Sequence, residues 1–366
     1  GETYSGFFSS TMIALDDGTR APMTEERLLL FFFPPSPSPS PSPYSKGATS
    51  VAIDALTAQS TSSPVQMGLD SALATIQADS ASYHLPAPSD LEFFSLLPVL
   101  LESRGFSQAG LERIGDFVRN YFLLNCLKDE GSKGALLPAA FSGDDRRPNG
   151  DVHAFMRGIN SPSPFVDGSR LPIVKALEDN IGVVKEEFQA LEAYMHEGSG
   201  GEEAKFRSIT EMNYDSGWST LVLHRNSARI PNFPYHLCPT TLKIVESVPI
   251  AGRICGFNRQ LPGSGIPTHS DGNNMWLTCQ IPIRAPPTSS PSYIINGGER
   301  HEYIEGKAVV YDTTYEHHTM NESETEDRVV LHIDFWNTLE MSEEEIQVMQ
   351  YVYDLKGKFM EAEQKP

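Results

Sequence analysis

The chain changes character after Trp218, where short apolar stretches follow one another with proline, glycine and asparagine residues between them. Short apolar stretches bounded by such turn formers are typical of β-strands, and a series of them predicts a β-sandwich or a barrel. We therefore expect strands at residues 219–223, 242–248, 254–257, 275–283, 293–295, 308–311 and 329–335.

Two metal-binding residue types stand two positions apart inside this region, at His269 and Asp271. Residues i and i+2 of an extended strand point to the same face, so both side chains can hold one ion while Ser270 points away. With His317, which lies further along the chain, they make two imidazoles and one carboxylate, a set that suits a non-haem Fe(II) centre with open coordination positions. The alternative is an ordinary turn at residues 270–274, because aspartate and glycine are common turn formers.

The third candidate ligand is one of two neighbouring histidines, His317 and His318. Adjacent residues of a strand face opposite sides, so only one of them can join His269 at a metal ion. The same ligand types also suit zinc, but no general base of a known zinc motif stands nearby in sequence, which disfavours a zinc hydrolase.

Arg328 opens the strand predicted at 329–335. A guanidinium group near an iron site can hold a carboxylate through two parallel hydrogen bonds. The alternative is a salt bridge with one of the acidic residues at 322–327, of the kind that is common on protein surfaces. Further along the same strand, we expect His332 to be an interior histidine whose ring nitrogens are hydrogen-bonded within the protein.

The amino-acid composition bears on the binding partners and on the cellular compartment of the protein. The 366 residues include 28 Lys+Arg and 48 Asp+Glu, and the net charge of −20 argues against nucleic acid and anionic membrane surfaces. No apolar run approaches the roughly 18 residues of a membrane span. Widely spaced cysteines without a C-x-x-C pair are typical of reduced thiols in an intracellular, cytoplasmic protein, although organelle targeting and a Cys238–Cys255 bridge stay open.

Four regions follow along the chain. Residues 1–85 are Ser/Pro-rich and of low complexity, with a Ser-Pro tract that favours extended polyproline II, and we expect them to be disordered. Residues 86–160 form a helical region, including a helical hairpin at 90–129. Residues 161–340 begin with one amphipathic helix at 171–194 and continue into the strands. Residues 341–366 form a terminal helix that starts at a Ser342–Glu345 capping box.

An ordered series of motifs in residues 164–340, about half of the chain, resembles the aspartyl/asparaginyl β-hydroxylase family. These motifs are Gly217-Trp218-Ser219, Cys238-Pro239, Leu261-Pro262-Gly263, Glu305-Gly306-Lys307, Asp312 to His317, and Arg328 leading into Asp334-Phe335-Trp336. The resemblance implies an α+β fold with a mainly β core, a double-stranded β-helix of the jelly-roll or cupin type over residues 161–340, flanked by helices.

The resemblance also implies an Fe(II)- and 2-oxoglutarate-dependent dioxygenase that uses O2 and hydroxylates an Asp/Asn-type peptide residue or a related amino-acid-like substrate. Iron would be held by His269 and His317, with Asp271 available as a third ligand, and Arg328 would pair with 2-oxoglutarate. Asn258 and Gln280 match positions that contact this co-substrate, and the candidate substrate residues are Trp218, Trp276 and Thr278.

Two departures from the family pattern bear on this expectation. Animal members of the family have glycine at the position of Asp271, and arginines that hold the substrate at the positions of Trp276 and Thr278. The chain thus gains a carboxylate beside the metal and lacks the cations expected for an acidic peptide. The alternative function is a non-catalytic binding module built on the same barrel. The oligomeric state stays open.

Overall fold

The computed structural model describes residues 13–14, 20–21, 63–107, 110–159, 161–196, 205–207, 217–225 and 227–364. The chain divides into two compact units, one made of Gly1–Leu136 with Gln347–Pro366 and the other of Leu137–Ile346. The boundary therefore falls at residue 136 rather than at residue 160, where the sequence predicts it. The Ser-Pro tract of the predicted low-complexity region lies outside the described residues.

The first unit is mainly helical. Its helices are Pro64–Ala78, Pro88–Ser103, Glu112–Cys126, the 3-10 helix Glu130–Leu136, and the part of Glu343–Gln364 that follows residue 346. Two short strands, β1 (Ile13–Ala14) and β2 (Arg20–Ala21), pair antiparallel. The region predicted as a helical hairpin at 90–129 contains two helices, and Phe94 of the first contacts Phe122 of the second with ring centroids 5.3 Å apart.

The helix Pro64–Ala78 lies inside the region that the sequence assigns to low complexity up to residue 85, and this part of the prediction is wrong. Its buried residues recur at helical spacing and include Val65, Leu69, Ala72 and Ile76. A Cβ on Gly68 would lie 2.0 Å from the Gly115 carbonyl oxygen, so the two helix backbones touch. The Ser-Pro tract at residues 36–43 dominates the composition of residues 1–85, so an assignment based on composition overlooks the helical spacing of apolar residues at 64–78.

The second unit contains eleven described strands, numbered on from β2. They are β3 (Phe165–Val166), β4 (Trp218–Arg225), β5 (Ala228–Arg229), β6 (Ile250–Gln260), β7 (Gly265–His269), β8 (Trp276–Arg284), β9 (Ser292–Asn296), β10 (Glu299–Glu302), β11 (Val309–Tyr311), β12 (His317–Asn321) and β13 (Arg328–Trp336). Its helices are Ala139–Ser142, Pro172–Asp179, Ile181–His196 and Pro239–Val245, with 3-10 helices Asn149–Asp151, Gly168–Arg170 and Tyr235–Leu237.

The strands form two sheets that the chain visits alternately. The larger sheet has the order β3-β11-β8-β13-β6-β4-β5, and the smaller has the order β10-β9-β12-β7. All neighbours pair antiparallel. From β6 to β13 the chain passes back and forth between the sheets, which is the topology of a double-stranded β-helix. The expected fold is confirmed.

Two sequence predictions of secondary structure fail in this unit. The strand predicted at 242–248 is instead a helix, Pro239–Val245, because Pro239 occupies its first turn, where a proline ring is well tolerated. The single helix predicted at 171–194 is two helices that meet at Asn180, whose side chain donates to the Ala176 carbonyl. By contrast, Ser342 and Glu345 form the predicted capping box through two reciprocal bonds.

The larger sheet is buried on both faces, and the faces differ in chemistry. Alternate residues of its central strands join one apolar cluster with the flanking helices, as at Phe257, whose ring lies 4.7 Å from that of Phe188. The opposite, inner face contacts the smaller sheet, where Val330 packs with Ile294. Since the outer face supplies the apolar burial that stabilises the unit, the inner face can carry polar side chains.

Two further expectations concern cysteines and membranes. All four cysteines are free and buried, so the Cys238–Cys255 bridge is not formed. Burial raises the pKa of Cys238 and Cys279 to about 12. Within the described part of the chain, none of the helices combines the length and apolarity that crossing a membrane requires.

A buried lysine in the first unit predicts how stability changes with pH. Lys356 lies 3.2 Å from Asp90, donates to the Tyr121 hydroxyl, and has a pKa lowered by burial to about 8. Between this pKa and its ordinary value of 10.5, the unfolded chain binds more protons than the folded chain. We expect the free energy of unfolding to rise from pH 8 to pH 9.5 by roughly 1 kcal/mol per pH unit relative to Lys356→Met. Chemical denaturation of both proteins tests this, and a constant difference between them would contradict it.

Candidate active site

Two histidines meet at the end of the smaller sheet. His269 is the last residue of β7 and His317 the first of β12, and antiparallel pairing places them directly opposite each other. Their ring centroids are 4.2 Å apart, with 52° between the ring planes. The structure thus brings His317 to His269. His318, the neighbour on β12, has its Nδ1 3.5 Å from the hydroxyl of Thr268.

Both imidazoles are held in the same way. Nδ1 of His269 lies 2.9 Å from the Pro267 carbonyl oxygen, and Nδ1 of His317 lies 2.9 Å from the Tyr315 carbonyl oxygen. A carbonyl only accepts, so each Nδ1 carries a hydrogen, and in a neutral imidazole of this kind Nε2 has the lone pair. Backbone anchoring of the remote ring nitrogen is the usual arrangement of metal-binding histidines. The pair therefore fits a metal ion.

The predicted third ligand, Asp271, lies beyond the end of β7. Its backbone N–H donates to the Thr313 carbonyl oxygen at 2.7 Å. Burial is the main cause of the raised pKa of Tyr311, and the negative charge of Asp271 contributes to it. The Tyr311 ring centroid lies 5.9 Å from the ring centroid of His317. Among the described residues, no three His, Cys, Asp or Glu side chains are grouped as a metal site. A ligand role for Asp271 stays a prediction.

Arg328 is fully buried at the start of β13, on the inner face. The guanidinium lies over the rings of Tyr303 and Trp218, with its carbon 4.5 Å and 5.1 Å from their centroids. Within the described structure none of its three nitrogens makes a hydrogen bond of regular geometry, although the Tyr303 hydroxyl oxygen, whose hydrogen is donated to Gln280, lies close enough to favour the charged form of Arg328. Burial lowers the pKa of Arg328. The nearby Tyr303 and Tyr311 act in the opposite direction and raise this pKa. The alternative of an exposed salt bridge is wrong.

Two more polar atoms on this face are buried without a hydrogen-bond partner in the described structure. They are the Thr220 hydroxyl on β4 and Oδ1 of Asn258 on β6. Thr220 and Asn258 are directly opposite each other on β4 and β6. Asn258 is two residues before Gln260, which is opposite Arg328 on β13, so all of these side chains lie on the same face. A ligand contact by Asn258 stays a prediction. Thr220 was missed, although it shares a strand face with Trp218.

A chain of hydrogen bonds crosses the inner face between β8 and β13. Tyr303 donates to the amide oxygen of Gln280, whose Nε2 lies 2.9 Å from Nδ1 of His332. Nε2 of His332 lies 3.1 Å from Asp334, which also accepts a 2.6 Å bond from Thr278. The expected interior histidine is confirmed. Tyr303 was missed because no motif marks it in the sequence.

The three candidate substrate residues lie in two places on the sheet. Trp218 packs on the Arg328 guanidinium, at one end of β13. Trp276 is opposite Trp336 at the other end, in an edge-to-face contact with centroids 5.8 Å apart, and Thr278 is opposite Asp334. The inner face therefore has a cationic end at Arg328 and an acidic end at Asp334.

The burial of the Arg328 guanidinium predicts an effect on the stability of the protein. A buried charge without a partner costs free energy, so we expect Arg328→Met to raise the free energy of unfolding of the ligand-free protein by about 1–3 kcal/mol. Arg229→Met, which removes an exposed ion pair with Glu246, should change it by less than about 1 kcal/mol. Thermal and urea denaturation measure both. A destabilised Arg328→Met protein would show that the guanidinium has a stabilising protein partner.

The chain has a clear match to one protein family. Residues 178–338 match the family model of aspartyl/asparaginyl beta-hydroxylase. Aspartate beta-hydroxylase domain-containing protein 2 of Xenopus tropicalis is 24% identical over 172 residues, which are 45% of this chain and 44% of that protein. The match therefore spans less than half of the relative.

Solved structures with similar strand arrangements include two hydroxylases. A Trichoplax adhaerens prolyl hydroxylase, in complex with a peptide of hypoxia inducible factor, has a TM-score of 0.31 and 10% identity, over 45% of this chain and 89% of its own. A Pseudomonas putida prolyl-4-hydroxylase has a TM-score of 0.27 and 13% identity, over 44% and 98%. On the sequence match, the segment at residues 178–338 is similar to the aspartyl/asparaginyl β-hydroxylase family.

Proposed function

We propose that this chain is an Fe(II)- and 2-oxoglutarate-dependent dioxygenase. The observation that carries the proposal is Arg328, a buried cation that makes no hydrogen bond of regular geometry to the described residues. Such a group calls for an anion, and a guanidinium binds a carboxylate with two parallel bonds. The two backbone-anchored histidines supply neutral Nε2 atoms of the type that iron accepts. A site for a metal and a carboxylate in one barrel fits this co-substrate.

In this proposal His269 and His317 hold Fe(II) through Nε2, with Asp271 as the third ligand. When bound, the iron would supply O2 activation, with the overall balance 2-oxoglutarate + O2 + C–H → succinate + CO2 + C–OH. The Pro267 and Tyr315 carbonyls keep both rings in the ligating tautomer. The protein thereby fixes the ring orientation before any metal arrives.

Four inner-face residues would hold the co-substrate. Arg328 pairs with the distal carboxylate, and the Thr220 hydroxyl donates to the same end, while Asn258 lies beside it. The Trp218 ring covers the guanidinium and keeps water away from it. Loss of water strengthens a charge-assisted bond, since the local dielectric constant is lower than in bulk.

The proposed substrate is an Asp/Asn-type peptide residue or a related amino-acid-like molecule. Its support is the family of residues 178–338 and the polar end formed by Thr278 and Asp334. The Asp334 carboxylate would repel an acidic side chain and accept a bond from an amide. We therefore favour an asparagine-type substrate, and mass spectrometry of otherwise identical asparagine and aspartate peptides after incubation distinguishes the two.

Succinate formation tests the reaction. With Fe(II), O2 and 2-oxoglutarate, wild-type protein should form succinate, and His317→Ala should lose at least about 100-fold because a metal ligand is removed. His318→Ala, which changes the next residue of β12, is the matched control and should keep most of the activity. Equal turnover by wild type and His317→Ala would reject the proposal. Wild-type protein that binds 2-oxoglutarate with Mn(II) but never forms succinate would favour a non-catalytic binding module.

The Arg328 guanidinium should set the affinity for 2-oxoglutarate. We expect Arg328→Met to raise KM for 2-oxoglutarate about 10- to 100-fold, because it removes charge-assisted hydrogen bonds. Thr220→Val removes one hydroxyl and should raise KM by about 3- to 10-fold. Steady-state kinetics at saturating Fe(II) measure both values, and an unchanged KM in Arg328→Met would place the carboxylate elsewhere.

A further inference from the structure

We propose that residues 144–159, here called the strap, position the two histidine-bearing turns of the site. The strap belongs to the same compact unit as the sheets, yet it precedes the family segment at residues 178–338. It binds the turn that follows His269 and the turn that precedes His317. The inference rests on the proposed metal role of these two histidines.

The strap holds the turn after His269 by three hydrogen bonds. The N–H groups of His153 and Ala154 both donate to the Gly272 carbonyl oxygen, at 2.9 and 3.1 Å. The Ser270 hydroxyl donates to the Asp151 carboxylate at 2.9 Å. Backbone and side-chain bonds together fix the chain from the residue next to His269 onward.

Asn274 completes this attachment. Its Oδ1 accepts from the Met156 N–H at 3.0 Å, and its Nδ2 donates to the carbonyl oxygens of Met156 and Ile159, at 2.9 and 3.0 Å. The side chain is buried, so its amide is satisfied almost entirely by the strap. An amide with three hydrogen bonds to one segment specifies a single register between the strap and the turn that follows His269.

Gly272 shows how closely the strap approaches. A Cβ at this position would lie 2.1 Å from Nδ1 of His153 and 2.2 Å from the Asp151 carbonyl oxygen. Such distances leave no room for a side chain. Glycine is therefore required at position 272 because the strap approaches so closely, and not because the backbone has a positive φ. The strap and the turn are packed backbone against backbone.

The strap also contacts the turn before His317. Arg147 is buried with its guanidinium over the ring of Tyr315, 4.0 Å from the centroid, and its Nη2 lies 3.3 Å from the Asp312 carboxylate. The Glu316 N–H donates to the Arg146 carbonyl oxygen at 2.9 Å. Tyr315 is also the residue whose carbonyl anchors Nδ1 of His317.

One segment therefore holds both turns, and the turns also bind each other through the Asp271 N–H and the Thr313 carbonyl. The separation of the imidazoles depends on how far apart these turns are held. Arg147 and Asn274 are positioning residues in this scheme, since they act through the backbone next to each histidine. Partners of this kind change metal affinity by about 10- to 100-fold when they are removed.

The test is metal binding by otherwise unmodified protein, measured with Mn(II) by calorimetry. Arg147→Met and Asn274→Ala should each weaken the Mn(II) affinity about 10-fold or more. Asn274→Asp keeps the side-chain shape and the bond from Met156, and it covers the case in which the alanine variant does not fold. Nitrogen NMR of the metal-free variants should also show that His269 or His317 has lost its Nδ1-protonated tautomer.

Asn321→Ala is the matched control. Asn321 is also buried, and its Nδ2 donates to the carbonyl oxygens of Gln260, Leu261 and Glu326 at the end of β12 remote from His317. It should lower the melting temperature by a similar amount and leave the Mn(II) affinity within about twofold. Wild-type affinity and tautomers in both strap variants would overturn the strap proposal. Absence of Mn(II) binding in the wild type would instead reject the proposed function.

Discussion

A positive charge without a protein counter-ion lies inside the β-sheet unit, and the surrounding structure is arranged to keep it there. Arg328 is fully buried, is covered by aromatic rings and makes no hydrogen bond of regular geometry to the described residues. Removing such a charge from water costs several kcal/mol. The fold must recover that cost elsewhere, and it does so on the opposite face of the same sheet, where the helices bury one large apolar cluster.

The two faces of the larger sheet thus have different functions. Strand alternation sends every second residue of β6, β8 and β13 outward to the helices and the others inward to the smaller sheet. Inner-face polar groups are either linked to each other, as in the Gln280–His332–Asp334 chain, or left without partners, as at Thr220 and Asn258. The unlinked groups cluster at the Arg328 end. A polar ligand at that end would satisfy groups that the protein itself leaves unsatisfied.

The histidines belong to the smaller sheet, and their geometry depends on turns rather than on strand pairing alone. His269 is the last residue of β7 and His317 is the first residue of β12. Each histidine therefore has a strand on only one side of it in the sequence and a turn on the other side. Hydrogen bonds to Pro267 and Tyr315 set the tautomers, and the strap at residues 144–159 holds the adjoining turns. Rigid support of this kind keeps a metal site within the narrow geometry that it needs.

The sequence by itself determined the barrel, the histidine pair and the arginine, because alternating apolar residues, turn formers and ordered motifs are local signals. It failed where a local signal was ambiguous: residues 242–248 are apolar enough for a strand, but most of them lie in the helix Pro239–Val245, which begins at a proline. Only the tertiary structure decided that Arg328 has no acidic hydrogen-bond partner among the described residues, that Thr220 and Tyr303 lie on the same face, and that residues 144–159 hydrogen-bond to both turns. These facts come from contacts between residues far apart in the chain, whose spacing no local pattern records.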